Sequence, residues 1–169
     1  MVTSMSEYSG RERVLADAQR RGVRVDFADR GPATSLEEAA ANLGIAPSEI
    51  VKTLIAKVRL TQTAASHSYL MVLIRGDQQV DWAKLRRSAG VKKAAMAAPE
   101  EGFEVTGYRP GTITPFGAGT VEGHALPIFA DESIAGQICM GAGEPGLNLF
   151  VEAAELFRSF DVTCADIAK

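Results

Sequence analysis

The sequence has few cysteines and no long apolar run, and each shortage excludes a class of protein. Cys139 and Cys164 are too few and too far apart for a disulfide scaffold or a zinc cluster, so we expect reduced thiols. The longest apolar run, residues 69–74, is much shorter than the roughly 20 residues that cross a bilayer. The first residues contain no apolar signal core. We therefore expect a cytoplasmic protein with no membrane partner.

The composition is typical of one globular domain. Of the 169 residues, 46% are hydrophobic and 23% are charged. The charge is uneven, because residues 1–93 carry 15 Lys and Arg against 10 Asp and Glu, whereas residues 94–169 carry 3 against 11. The positive first half is compatible with a basic face for a polyanion, and an ordinary solvated surface explains it equally well.

Capping residues and apolar periodicity predict a mixed α/β domain. Ser9 and Ser35 each precede a glutamate by three residues, as in a capping box, and Gly22 and Gly44 supply helix ends. The predicted helices are 9–22, 35–44, a helix capped by Asp81, and one near 153–160. The predicted strands are 23–27, 50–56, 69–74, 125–129, 137–140 and 147–151. We expect one compact domain over residues 9–169, a mixed β-sheet surrounded by helices, after a poorly ordered N-terminus, 1–8.

Familiar catalytic and nucleotide-binding motifs are missing. Residues 141–146 match G-x-G-x-x-G, but a strand pattern follows where a dinucleotide site needs a helix, so we interpret them as a glycine-rich turn. The sequence contains no G-x-S-x-G, Walker or H-E-x-x-H motif. The two histidines, His67 and His124, lie in polar or glycine-rich segments, which makes a Ser-His or Cys-His site improbable.

Lys52 interrupts the apolar, β-branched segment 50–56. Successive residues of a strand point to opposite faces, so Lys52 would share a face with Ile50 and Leu54. Burying an ammonium group is costly unless an anionic or strongly polar group meets it. The two apolar residues on its face suit a lysine in a cleft, but from the pattern alone a lysine on the solvent face of an alternating strand is an equal alternative.

The segment 106–117 is rich in glycine and proline. These residues favour an irregular loop whose backbone N–H and C=O groups can face a ligand instead of each other. An ordinary rigid turn is the alternative, and the length of the segment weakens it.

Seven short motifs follow one another along most of the chain, from the first predicted helix to the end. They are Leu43-Gly44, Val51-Lys52-Thr53-Leu54, Thr106-Gly107-Tyr108, Gly111-Thr112-Ile113-Thr114-Pro115, Leu126-Pro127 with Asp131, Gly143 with Gly146-Leu147, and Ala165-Asp166-Ile167-Ala168. Each is weak alone, but their order and spacing are fairly specific. Together they resemble the YbaK and prolyl-tRNA-synthetase insertion-domain family of aminoacyl-tRNA deacylases.

The resemblance implies a YbaK-like α/β fold and a trans-editing hydrolase without cofactor or metal. Such an enzyme cleaves the ester between a wrong amino acid and tRNA, and cysteine or alanine on tRNA for proline is the expected substrate. The implied partners are the acceptor end of aminoacyl-tRNA and, as a second candidate, prolyl-tRNA synthetase. The oligomeric state stays open.

The resemblance also assigns site residues. Lys52 matches the functional lysine of the family, and Gly111 begins its G-x-x-x-P loop, so these two are the predicted catalytic residues. Thr114 stands where the YbaK branch often has serine, which puts the pocket size in question. Asp131 fits equally well as the N-cap of a helix at 132–134. The predicted substrate-binding residues are Phe27, Thr112, Ile113, Thr114, Pro115 and Asp131.

The expected chemistry needs no catalytic triad, because an aminoacyl ester is already activated. Lys52 would anchor substrate oxygens and the backbone at Gly111 would donate hydrogen bonds, while water assisted by the ribose hydroxyl, or the substrate side chain, attacks. A basic residue usual in the family's 143–146 turn is replaced by Glu144-Pro145, so if that turn touches RNA in relatives, this protein must bind differently. The predicted tRNA-binding residues are Lys84, Arg86, Arg87, Lys92 and Lys93, with Arg11, Arg20 and Arg21 as further candidates.

Two other functions remain open from the sequence. The first is a non-catalytic module of the same fold that binds aminoacyl-tRNA or a synthetase, against which the retained Lys52 and G-x-x-x-P loop argue. The second is a small-molecule hydrolase or nucleotide-binding protein, which the missing nucleophile makes less favoured.

Overall fold

The computed structural model describes residues 9–61, 63, 66–119 and 125–169. The predicted N-terminal segment 1–8 and His124 lie outside the described residues. The described residues form five α-helices, one 3-10 turn and eight strands. In chain order these are α1 Gly10–Arg21, β1 Asp26–Asp29, α2 Leu36–Leu43, the 3-10 turn Pro47–Glu49, β2 Val51–Arg59, β3 Ser68–Arg75, α3 Trp82–Ala89, β4 Lys93–Met96, α4 Pro99–Thr106, β5 Ile128–Asp131, β6 Gln137–Gly141, β7 Leu147–Glu152, α5 Ala153–Ser159 and β8 Thr163–Ala165.

The strands form two sheets. One is a three-stranded antiparallel sheet in the order β1-β7-β6, and the other is a five-stranded sheet in the order β4-β2-β3-β5-β8. The larger sheet is mixed, because β4, β2 and β3 pair antiparallel while β5 and β8 pair parallel. A bridge between Ile50 and Cys139 joins the start of β2 to β6. The predicted α/β class with a mixed sheet is confirmed, with the strands divided between two sheets.

The two faces of β2 enter different cores. Val51 and Ile55 pack into the main core, which contains residues of both sheets, of α1 and α5, and of the segment 105–116. Ala56 and Val58 pack on the opposite face, against α3 and the C-terminal segment. The strand therefore carries its own side chains to both sides of the sheet, as alternation requires.

The predicted capping residues are confirmed, but the Glu38 carboxylate accepts from Thr34 and does not close the predicted capping box. Ser9 Oγ accepts a hydrogen bond from the Glu12 N–H, and Ser35 Oγ accepts one from the Glu38 N–H. Asp81 caps α3 in the same way, by accepting from the Lys84 N–H at 3.1 Å. These local interactions set the helix starts that the sequence predicted.

Two predicted strands begin later than expected, and three elements were missed. The predicted strand 23–27 is β1 at 26–29, because the Val23 N–H still closes the end of α1 on Ala18 O at 2.9 Å. The predicted strand 125–129 is β5 at 128–131. The missed elements are β4, α4 and β8.

Candidate active site

Lys52 is the second residue of β2 and is half-buried. Its Nζ donates a hydrogen bond to the Gln78 carbonyl at 3.0 Å, in the turn that follows β3. As the alternation predicted, it lies on the same face as Leu54, which packs in the core formed with α3 and the C-terminal segment. Within the described part of the chain no carboxylate lies within ion-pair distance of it. An ammonium group has three N–H donors, so this one has donors left for a ligand.

The G-x-x-x-P loop, Gly111–Pro115, exposes only its first residue. Gly111 has a φ of +89° and open space where a side chain would be, whereas residues 112–116 are buried. The Ile113 side chain packs in the main core, and the Thr114 hydroxyl lies 3.4 Å from Met140 Sδ. A ligand would therefore meet the loop through its backbone at Gly111. Of the other predicted contacts, Ile113 and Thr114 lie in the interior, and Pro115 lines a cavity of about 790 Å³ beside α1.

The turn between β6 and β7 packs directly against this loop. The Gly143 N–H donates to Thr112 O at 2.9 Å, and a Cβ at Gly141 would lie 3.3 Å from Thr112 backbone atoms. A Cβ at Gly143, which has a φ of +85°, would lie 2.8 Å from the Tyr108 ring. The glycines of G-x-G-x-x-G thus permit close packing. The predicted turn is confirmed, because the strand β7 begins at Leu147, where a dinucleotide fingerprint requires a helix.

The β6 strand contacts both the start of β2 and the G-x-x-x-P loop. Cys139 of β6 forms the bridge to Ile50, two residues before Lys52, and the next residue, Met140, contacts Thr114. Ile50, two residues before Lys52, and the loop therefore contact neighbouring residues of one strand.

Phe27 is a half-buried residue of β1 that packs against the main core. It pairs with Leu149 of β7, and the Arg11 guanidinium lies 4.6 Å from the centre of its ring. The structure thus places Phe27 beside the β6–β7 hairpin and the start of α1.

Two buried polar side chains that the sequence did not single out have unused hydrogen-bonding atoms. Asn148 is 2% exposed and pairs across the sheet with Gly141, and its Oδ1 has no hydrogen-bond partner among the described residues. Thr53, beside Lys52 in sequence, has an Oγ1 with no partner in the same part of the chain. A polar residue inside the apolar 147–151 pattern was the available signal for Asn148, since asparagine is depleted in strands.

Asp131 is buried at the end of β5, and its carboxylate accepts hydrogen bonds from four donors. Oδ1 accepts from the N–H groups of Ile167 and Ala168, and Oδ2 accepts from the N–H and Oγ of Ser133. Burial by itself would raise the pKa of Asp131, but these hydrogen bonds outweigh it and lower the pKa below 3.8. Residues 132–134 form a turn, so the alternative interpretation of Asp131 as a helix N-cap is wrong.

Asp131 is linked to Lys52 through two residues. Ser133 Oγ lies 3.3 Å from Gln78 Oε1, and the Gln78 carbonyl accepts the Lys52 hydrogen bond. The carboxylate itself faces the C-terminal segment.

Four of the five predicted tRNA-binding residues, all except Lys84, lie together at one end of the larger sheet. Three basic residues that were not predicted, Lys57, Arg59 and His67, lie beside them. We call this group the basic patch; it consists of Lys57, Arg59, His67, Arg86, Arg87, Lys92 and Lys93. Its members line two adjoining grooves of about 510 and 410 Å³. The available signal for Lys57 and Arg59 was the position of two basic residues at the end of the apolar strand β2.

The remaining predicted RNA contacts are elsewhere, and all except Arg11, whose guanidinium lies over the Phe27 ring, form ion pairs. Lys84 forms an ion pair with Asp166 at 3.0 Å and donates to Ala168 O. Arg20 and Arg21 of α1 both pair with Asp17. Within the patch, Arg59 Nε donates to His67 Nδ1 at 3.0 Å, and desolvation, with the charges of Lys57 and Arg59, lowers the pKa of His67.

The described residues contain no group of three His, Cys, Asp or Glu side chains arranged to hold a metal ion. None of the helices in the described ranges is long and apolar enough to cross a membrane.

Comparison with known proteins identifies the family. The proline–tRNA ligase of Bacillus licheniformis is 30% identical over 134 residues, which cover 79% of this chain and 22% of the ligase. The ligase of Thermotoga maritima is 36% identical over 102 residues, covering 60% of this chain and 15% of the ligase. The chain thus spans about a fifth of the length of these relatives.

Solved structures share the fold. A hypothetical protein, APE2540, superposes with a TM-score of 0.78 at 26% identity, covering 93% of this chain and 99% of that one. A protein described as a candidate trans-editing enzyme for prolyl tRNA synthetase superposes with a TM-score of 0.82 at 23% identity, covering 96% and 98%. The model of the aminoacyl-tRNA editing domain matches residues 30–159, which include Lys52 and the G-x-x-x-P loop. The resemblance expected from the motifs is confirmed, and this protein belongs to the aminoacyl-tRNA editing domain family.

Proposed function

We propose that this protein hydrolyses the ester bond of a mischarged aminoacyl-tRNA, with cysteine or alanine on tRNA for proline as the substrate. The observation that carries the proposal is the half-buried Lys52 ammonium, which is held by a single carbonyl. The strand β6, which bridges to Ile50 two residues before Lys52, also contacts the loop whose only exposed residue is Gly111. The family and the similarity to proline–tRNA ligases support it.

The reaction needs few groups from the protein. Water attacks the ester carbonyl, the bond between that carbon and the ribose oxygen breaks, and the ribose oxygen takes up a proton, so free amino acid and tRNA are released. The remaining N–H donors of Lys52 bind substrate oxygens, and the Gly111 backbone N–H donates to the oxygen that gains negative charge. The ribose hydroxyl assists the water, so no protein general base is required. Phe27 completes the substrate-binding surface, and the buried Thr112 supports Gly111, because its N–H and hydroxyl both donate to Arg109 O.

Asp131 acts in this proposal as a positioning residue. Its hydrogen bonds fix Ser133, which contacts Gln78, whose carbonyl holds Lys52. Asp131 therefore acts on the substrate indirectly, because both of its carboxylate oxygens already accept hydrogen bonds from the protein.

The basic patch is the proposed binding surface for tRNA. Arg59 lies seven residues beyond Lys52 on β2, about 23 Å away at about 3.3 Å per residue. A contact at that distance from the ester reaches phosphates of the acceptor arm, not the terminal nucleotide. Prolyl-tRNA synthetase is the proposed second partner, and such an activity would place the protein in the cytoplasm.

The test is deacylation of tRNA for proline charged with cysteine, alanine, serine or proline. We expect wild type to hydrolyse one mischarged species and Lys52→Ala to lose about 100-fold or more in rate, because one positioned charged donor contributes on that order. Arg24→Gln, which alters an exposed cation, is the matched control and should retain full activity.

Lys52→Arg separates charge from geometry in the same assay, since it retains the positive charge on a longer, planar group. If folded wild type hydrolyses none of the four species, the enzymatic proposal is wrong and the non-catalytic binding module is favoured. Equal rates for wild type and Lys52→Ala would remove Lys52 from the mechanism.

A further inference from the structure

We infer that Arg13 and Asp17 of α1 are positioning residues for the G-x-x-x-P loop, because they tie together the two backbone ends from which the loop projects. The inference rests on the proposed function for its catalytic consequence. We call the pair the α1 clamp, and the segment it holds, Thr106–Gly117, contains the whole loop.

Arg13 joins both ends of the segment with one guanidinium group. Nη1 donates to Gly107 O at 3.0 Å, and Nη2 donates to Thr106 O at 3.0 Å and to Gly117 O at 2.6 Å. Residues 107 and 117 are ten positions apart, yet their carbonyls share this group. Because a guanidinium is planar with donors at fixed angles, it also fixes the separation of the two ends.

Asp17 binds the Gly117 end of the segment as well. It lies one helical turn after Arg13 and is 8% exposed, and its Oδ2 accepts a hydrogen bond from the Gly117 N–H at 2.8 Å. Gly117 therefore gives its C=O to Arg13 and its N–H to Asp17. Both backbone groups of this residue are spent on one helix, so the end of the segment cannot rotate without breaking two bonds.

The glycines at the clamped positions make room for the clamp. Gly107 has a φ of +79°, and a Cβ there would lie 2.8 Å from the Arg13 guanidinium nitrogens. Gly117 has a φ of +69°, and a Cβ there would lie 2.6 Å from the Tyr108 hydroxyl and 2.8 Å from Arg13 O. Only glycine combines this conformation with so close an approach.

Tyr108 completes the arrangement from inside the segment. The Arg13 guanidinium lies 4.3 Å from the centre of its ring, and its hydroxyl donates to Phe116 O at 2.6 Å. The ends of the loop are therefore connected both through α1 and through this buried side chain.

The clamp matters for chemistry because Gly111 offers only backbone donors. A side chain can adjust by rotation, whereas a backbone N–H points where its segment directs it. Reacting groups must be placed to within a fraction of an ångström, and a shift of about 1 Å can lower a rate by about 100-fold. Loosening the ends at 107 and 117 should therefore reduce turnover without removing any group that touches the substrate.

The test uses the whole chain and compares Arg13→Lys and Asp17→Asn with the control Arg24→Gln. The Arg24 side chain is 84% exposed in the wild-type protein. We expect Arg13→Lys to lower kcat for the mischarged tRNA by about 10- to 100-fold with KM little changed. Hydrogen–deuterium exchange of the 107–117 peptide should become faster, while exchange in β2 and β3 stays as in wild type. The control should match wild type in every measurement.

Chemical rescue distinguishes positioning from general stability. Free guanidinium at low, non-denaturing concentration should restore part of kcat to Arg13→Ala and none to Lys52→Ala. The inference is overturned if Arg13→Lys keeps the wild-type kcat, or if its kcat falls while exchange at 107–117 is unchanged. If wild type deacylates nothing, the proposed function fails, and the exchange experiment still tests the clamp: unchanged exchange in Arg13→Lys and Asp17→Asn overturns it.

Discussion

Thr114 keeps its entire side chain inside the protein, with an exposed fraction of 0% and its hydroxyl against Met140 Sδ. Its methyl group therefore fills core space and not a substrate pocket. We predict that Thr114→Ser leaves the choice among mischarged tRNAs unchanged and lowers the free energy of unfolding by about 1 kcal/mol, the usual cost of removing one buried methyl group. Thermal unfolding and the deacylation panel measure both, and a shifted substrate preference would show that Thr114 reaches the pocket.

The sequence predicts the position and role of a residue where its neighbours along the chain determine them. The face of Lys52 followed from alternation within β2, and the role of the 141–146 glycines followed from the strand pattern after them. Arg13 and Asp17 could not be predicted as partners of the loop, because the groups they bind lie about a hundred residues further along. The unused Oδ1 of Asn148 depends on packing between strands in the same way.

At the scale of elements, Asp131 joins the end of β5 to the segment that follows β8. Hydrogen bonds hold its pKa in the folded protein below the unfolded value, so the stabilisation is present above about pH 3.8 and is lost as the pH falls through the folded pKa. We predict that Asp131→Asn costs about 1–3 kcal/mol at neutral pH, because the Ser133 donors lose their acceptor. Its acid unfolding should also depend less on pH than that of wild type.

Denaturant titrations at neutral pH and near pH 3 check this prediction. Asp26→Asn, on an exposed residue of β1, is the matched control. The interpretation fails if Asp131→Asn and wild type lose stability in parallel as the pH falls.

Elements with strong local signals were predicted, and elements formed by tertiary pairing were missed. α1 and α2 carry their own caps, and β3 is continuously apolar. β4 is an alanine-rich segment that becomes a strand because the end of β2 offers an edge to pair with. The three-residue β8 exists only through its parallel pairing with β5, and α4 contains a glycine that lowers its helix propensity.

At the scale of the molecule, the uneven charge seen in the sequence becomes a local feature. The basic patch gathers seven basic side chains, and only Lys57 among them has a carboxylate partner in the described part of the chain, Glu101 at 2.8 Å. The hydrogen bonds from Lys57 and Tyr69 lower the pKa of Glu101 to about 2, so that partner stays ionised. The arginines and lysines that remain, Arg59, Arg86, Arg87, Lys92 and Lys93, are available to phosphates, whereas His67, whose pKa is lowered, accepts a hydrogen bond from Arg59.

We predict that affinity for uncharged tRNA falls steeply with salt. Each phosphate contact on duplex DNA contributes a slope of about 0.9 in a plot of log affinity against log salt, and removing one contact should lower the slope by about 1. Arg59→Gln should therefore weaken binding and reduce the slope, while Arg24→Gln should not. Filter binding over a salt series measures this, and a salt-independent affinity would rule out the patch as the RNA surface.

The C-terminal segment ends beside the turn that holds Lys52. The Lys169 N–H donates to Gln79 O at 2.9 Å, next to the Gln78 carbonyl that accepts the Lys52 hydrogen bond. Any polypeptide attached after Lys169, such as an affinity tag or a fused domain, therefore starts next to the turn whose carbonyl holds Lys52. We therefore expect a fusion there to disturb the turn that holds Lys52, so activity assays on carboxy-terminally tagged protein would underestimate turnover.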